Sequence, residues 1–200
     1  SRGSIPGSWK RWADARLKPP EVPWQQKLGV IARRAVSYKA GAVDYRYDRP
    51  SRRQGTSAII LPRMRAPIPN VTIAIDTSGS MGGDELTAAL REAKGILNAT
   101  GAAVEIVAAD TRITGTKRVH RVEEARELLT GGGGTDFRPV FRALEKRGAN
   151  RPDIVVYMTD GYGPAPARAP HGMQVIWLLM GNYRTKKPCD WGTAIKVSNG

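Results

Sequence analysis

Three short stretches hold the side chains able to do chemistry. VTIAIDTSGSM, residues 71–81, runs from an apolar strand pattern into Asp76, Ser78 and Ser80. GGGGTD, residues 131–136, ends in Thr135 and Asp136, and DIVVYMTDG, residues 153–161, brings in Asp160. Every one of these residues offers oxygen. An all-oxygen set suits a hard cation, Mg²⁺ or Mn²⁺ first and Ca²⁺ less well. Mg²⁺ takes six oxygens at about 2.0–2.1 Å and usually keeps waters. Neutral hydroxyls leave net charge on such an ion, so an incoming carboxylate can take an open position. The plainer alternative is that Asp76 and the serines only cap the next helix, a place both residue types favour. Asp136 is expected to cap its own helix, tune a metal, or do both. Asp110, closing AAVEIVAAD, is expected to form a turn near the site, with a supporting contact to the metal shell as the alternative.

The elements before these loops must bring them together. VTIAIDT, AAVEIVAAD, DIVVYMT and MQVIWLLM are apolar runs with β-branched residues, and TAIKV is a last strand. TKRVHRV alternates like an edge strand. DELTAALREAKGILNATG sets Leu86, Leu90, Ala93 and Leu97 on one helical face, with Asp84 as its cap. VEEARELLT reads as a brief helix. TDFRPVFRALEKRGA reads as a helix with Phe137, Phe141 and Leu144 along one face. Buried strands alternating with helices predict an α/β fold, doubly wound, with a mainly parallel sheet flanked by helices. In that architecture working residues lie in loops at the carboxyl ends of strands.

Composition sets the rest. The chain has 200 residues, 40% of them hydrophobic, which suffices for a core. No apolar run approaches the roughly 20 residues that cross a bilayer, and the start lacks the apolar core of a signal peptide. With no initiator Met, the chain is expected to be part of something longer. One cysteine, Cys189, excludes an intrachain disulfide and a cysteine zinc site, and fits a cytoplasmic location. His120 and His171 stand far apart and read as surface residues. The net charge is +14, and residues 1–70 hold 15 Lys and Arg against 4 Asp and Glu. That asymmetry favours an acidic partner, nucleic acid or protein. Residues 1–69 are expected to form a basic extension, with Trp9 and Trp12 packing its arm. It carries one helix at about 23–40, started by Pro23 and packed on a main domain over 70–200. Residues 42–70 are irregular, with room for one or two edge strands.

DTSGS fits the pattern D-x-S-x-S and resembles the opening of the metal-ion-dependent adhesion site of von Willebrand factor A domains. Thr135 and Asp160 fall where that family's later Thr and Asp belong, so the resemblance covers about residues 70–200. It implies a Rossmann-like fold and a bound Mg²⁺, with Mn²⁺ or Ca²⁺ as substitutes. By similarity Ser78, Ser80 and Thr135 would bind the ion directly, and Asp76 and Asp160 mostly through water or from behind. An Asp or Glu of a protein partner would complete the shell. VPWQQKLGVIARRAV, YDRPSRRQ and LPRMRAPIPNVTIAIDTSGSM together resemble a bacterial family of uncharacterised proteins. In that family a metallopeptidase-like region precedes a von Willebrand A-like domain. Genes of such families often neighbour AAA+ ATPases of the MoxR type, which implies a candidate partner.

Two other functions are compatible with these residues. Arg33, Arg34, Arg49, Arg52, Arg53, Arg63 and Arg65 could contact phosphates, and the ring-shaped Ro proteins pair such a domain with RNA binding. The bland counterpart is that Arg49, Arg52 and Arg53 meet acids of a protein partner. A metal-assisted hydrolase is the third reading. No Walker loop, dinucleotide fingerprint or Ser–His–Asp order supports it, and D-x-D-x-T of some phosphatases lacks its second carboxylate here. The Pro-rich loop GYGPAPARAP after Asp160 is expected on the rim of the metal site.

Overall fold

Strands β3 (Val71–Asp76) and β6 (Ile154–Thr159) are buried at every residue. That is why their sequences read as unbroken apolar runs rather than alternating ones. The computed structural model describes residues 19–23, 26–27, 30, 44–50, 62–65, 69–129, 131–181 and 185–197. Six strands form the main sheet: β3, β4 (Val104–Ala109), β5 (Ile113–Val119), β6, β7 (Gln174–Met180) and β8 (Thr193–Val197), in the order β5-β4-β3-β6-β7-β8. All neighbours run parallel except β4 and β5. The α/β, mainly parallel architecture is therefore as the sequence predicts.

Alternate residues of each strand feed two cores. Ile73, Ile75, Val156, Met158 and Leu178 face the side of α1 (Gly83–Thr100). Ala74, Val155, Tyr157, Trp177 and Leu179 face the side of α2 (Arg138–Glu145). Within this sheet the path starts at β3, steps to β4 and β5 on one side, then returns to β6 on the other. The order of the strands therefore reverses between β3 and β6, and the carboxyl ends at such a switch point are where doubly wound sheets keep their ligands.

Several boundaries differ from the sequence reading. The edge strand lies over Ile113–Val119 rather than TKRVHRV, and VEEARELLT holds a 3₁₀ segment, Val122–Leu128. Both follow from weak apolar signal in segments that are half exposed. Helix α1 is capped at Gly82 with no side-chain bond, so Asp84 sits inside the first turn. There it favours the helix through the positive end of the dipole. The helix ends at Gly101, whose φ of 61° is left-handed and whose amide bonds the Leu97 carbonyl. Leu86, Leu90, Ala93 and Leu97 are buried as a stripe.

Upstream, β1 (Asp44–Pro50) and β2 (Pro62–Arg65) pair antiparallel as a sheet of their own, not as edges of the main one. The amides of Gln26 and Lys27 bond the Pro23 carbonyl at 3.1 Å, a helix start at the expected place. Val30 is helical as well. Residues 24–25, 28–29 and 31–40 of the expected helix, the Trp9 and Trp12 arm, and Arg33, Arg34, Arg52 and Arg53 lie outside the described residues. Arg49 lies in β1 and Arg63 and Arg65 in β2.

Candidate metal centre

Asp76 ends β3 and is fully buried. Its Oδ1 accepts the Ser78 amide at 2.9 Å, and its Oδ2 accepts the Thr159 hydroxyl at 2.7 Å. The first bond is a local turn of the kind that short acidic side chains make two residues on. It folds the chain back after the strand and sets Ser78 Oγ 3.2 Å from Ser80 Oγ. The second bond ties neighbouring strands β3 and β6 at the switch point. Thr159 in turn accepts the Gly161 amide at 3.0 Å, and Asp160 Oδ1 accepts the Tyr162 amide at 3.1 Å.

Burial pushes the Asp76 carboxyl above its usual range. Hydrogen bonds from Thr159 and Ser78 pull the other way, and the nearby charge of Asp160 adds to the rise. A buried carboxylate raised by desolvation and a like charge marks a place where positive charge is favourable. Beneath it, burial also pushes the Tyr157 phenol well up, with Asp76 adding to that rise.

The glycine run approaches this turn from the third side. The Gly79 amide bonds the Gly133 carbonyl at 2.9 Å. A Cβ at Gly131 would stand 2.5 Å from Thr77 Oγ1 and collide with the Thr77 carbonyl oxygen. A Cβ at Gly133 would stand 2.9 Å from Asp110 Oδ2. Thr135 follows at once, and its methyl lies 2.7 Å from where a Cβ of Gly163 would be. Thr135 is thus held between the glycine run and the loop after Asp160. All three predicted oxygen-bearing loops meet at one edge of the sheet.

Two neighbours are engaged elsewhere. Both oxygens of Asp136 accept from Arg138: Oδ1 from its amide at 2.9 Å, Oδ2 from Nη2 at 2.7 Å, and Nε lies between them. Arg138 holds the Asp136 carboxyl below its usual range, so this side chain leads into α2 as a charged turn. Asp110 Oδ1 accepts the Arg112 amide at 3.1 Å, and the Asp110 carbonyl accepts the Asp136 amide at 3.0 Å. It builds a turn that braces the glycine run. Among the described residues no three of His, Cys, Asp and Glu gather closely enough to hold a metal ion, so any ion here depends on hydroxyls.

Sequence reasoning passed over two residues. Thr159 is fully buried and bridges Asp76 to the Asp160 turn. Its only signal was its place as the last residue of an apolar strand before an acid. Thr77 is buried, and its Oγ1 has no hydrogen-bond partner. Its signal was its position inside D-x-S-x-S.

Residues 71–198 match the family described as VWA-like domain (DUF2201). The chain belongs to this VWA-like family. A Thermotoga maritima protein described as uncharacterized is 31% identical over 168 residues, which cover 82% of this chain. The chain spans 39% of that relative's length. The match to the VWA-like family begins at the first residue of β3 and contains every oxygen donor of the cluster. No helix among the described residues is long and apolar enough to cross a membrane.

Proposed function

We propose that this VWA-like domain is a protein-interaction module that holds Mg²⁺ at the oxygen cluster and through it takes an Asp or Glu side chain of a partner. The observation that carries this reading is the hydroxyl pair of Ser78 and Ser80, 3.2 Å apart beside the buried Asp76. Adjacent oxygens of a Mg²⁺ octahedron stand about 2.9 Å apart, so the pair needs only a small closing. The wider spacing tolerated by Ca²⁺ also fits, and Mn²⁺ suits the same donors. Ser78, Ser80 and Thr135 would hold the ion. Asp76 and Asp160 would stand behind it or act through water. Bound there, the ion supplies a Lewis-acid position for a carboxylate oxygen. The residues' own part is to fix the hydroxyls, neutralise part of the charge and keep one approach open.

Binding fits better than catalysis. The cluster offers no imidazole or thiol. Burial pushes the thiol of Cys189, the one cysteine, upward, away from thiolate character. The expected setting is a cytoplasmic assembly, with a MoxR-type AAA+ ATPase as the partner to try first. Titration calorimetry with Mg²⁺ and Mn²⁺ is the direct test: wild type takes up the ion, and Asp76→Ala and Thr135→Ala lose at least tenfold in affinity. Equal uptake by all three sinks the metal reading.

The charge of the N-terminal third favours one further reading, RNA or DNA binding through its arginines. Filter binding across salt checks it. Phosphate contacts require steep weakening as salt rises, and no binding at low salt removes the idea.

A further inference from the structure

Glu92 lies midway along α1 and is fully buried, which is rare for a carboxylate without dedicated partners. Its Oε1 accepts the Glu21 amide at 2.8 Å and its Oε2 the Val22 amide at 3.4 Å. Next to it Arg91, also buried, donates from Nη2 to Glu21 Oε1 at 3.0 Å. Val22 is itself buried in the core cluster that α1 shares with the sheet. These partners are 70 and 71 residues apart in sequence.

We infer that α1 carries a peptide-docking site, filled in cis by the segment Pro20-Glu21-Val22. The ligand is a bent acid–apolar dipeptide bracketed by prolines. Each part of the site reads one feature. Glu92 accepts two consecutive main-chain amides, which demands a bend that turns both to one side, as residues 21 and 22 make, and no proline at either position. Arg91 reads a carboxylate at the first position, and the apolar slot reads a branched side chain at the second. Pro19, Pro20 and Pro23 stay exposed. They fix φ and push the preceding residue toward extended geometry, so part of the ordering entropy is already lost before docking. Bonds from amides to a buried carboxylate are the strong kind. Taking the segment away leaves Glu92 its ion pair with Arg91 Nε at 3.5 Å but removes both main-chain donors. This site needs neither a cation nor the oxygen cluster, and it lies upstream of the family match in its ligand and within it in its receptor.

Hydrogen exchange followed by NMR on the full chain tests the docking. In wild type the Glu21 and Val22 amides are protected. In Glu92→Gln they exchange faster by about tenfold or more, the worth of one charge-assisted bond, while β3 and β6 amides keep their rates. Unprotected amides in wild type, or equal acceleration everywhere, overturns the site. A second arm uses Glu21→Arg, which sets like charges together without touching the core. A fluorescent peptide of residues 17–24 binds this variant at least about tenfold more tightly than wild type, and adding Glu92→Gln removes the gain. Equal peptide binding to wild type and Glu21→Arg, or binding indifferent to Glu92, defeats the proposal.

Discussion

Asp76 is the most deeply buried carboxylate of the cluster, and the consequence can be measured. Its folded-state pKa is raised by burial above the ordinary 3.8. Stability from protonation is therefore full below the unfolded value and is lost as pH rises through the folded one. In metal-free protein at neutral pH, Asp76→Asn is expected to gain stability while losing metal uptake. Thermal denaturation in chelator across pH checks it; a wild type as stable as the variant at neutral pH refutes it. Asp136 has the opposite sign. Its folded pKa is lowered by Arg138, so its contribution is present above the unfolded value and fades as pH falls through the folded one. The Arg138 side chain is 46% exposed, and solvent screens the pair. Arg138→Ala should lower stability only slightly, an effect visible above the carboxylate range and absent in acid. Among these residues the types and order were legible in sequence. The engagement of Asp136 by Arg138 was not, because a rotamer choice two residues along leaves no pattern.

Elements hold the cluster through close approaches rather than regular structure. Gly131→Ala would push a methyl into the Thr77 carbonyl, and the glycine run would have to move. The expected loss is about 1–3 kcal/mol, with weaker Mg²⁺ uptake because Thr135 moves too. Denaturant melts paired with calorimetry would expose an unchanged variant. Gly161 combines a φ of 91° with a Cβ position blocked by the Lys186 backbone. Helix α2 supports the same loops from below. Phe141 packs its ring 5.7 Å from Tyr157, 5.6 Å from Trp177 and 5.4 Å from Trp191. The Trp191 indole bonds the Pro166 carbonyl at 2.9 Å, and the Phe137 amide bonds that of Pro164 at 3.0 Å. The Pro-rich rim is thereby anchored to the aromatic core. Phe141→Ala should cost about 3–5 kcal/mol in chemical denaturation; a loss under about 1 kcal/mol would mean the cluster is not a packed unit. Helix and strand existence was legible here because apolar runs bury both faces. The edge strand β5 and the 3₁₀ segment after it were shifted or mistyped because exposure weakens the periodic signal.

At the scale of the molecule, charge and chain path set the behaviour. The +14 charge sits mostly in residues 1–70, apart from the oxygen cluster in sequence. If the metal reading holds, Mg²⁺ uptake should fall little with added salt, because the ligands bind directly, whereas binding of polyanions should fall steeply. Calorimetry and filter binding over one salt series separate the two; parallel slopes would contradict two distinct sites. The buried Glu92 joins residues 21 and 22 to α1, so the folded unit reaches upstream of the family match.

By itself the sequence determined which segments become buried strands, that they alternate with helices, and that oxygen donors stand at three strand or loop ends. Periodicity and residue type are local properties, and they need no knowledge of the partner. Only the tertiary structure decided that Asp76 meets the Thr159 hydroxyl across 83 residues, or that Glu92 receives the amides of Glu21 and Val22. Strand order and helix seating set such pairs. A hydrogen bond between distant residues leaves no trace in the spacing of either one.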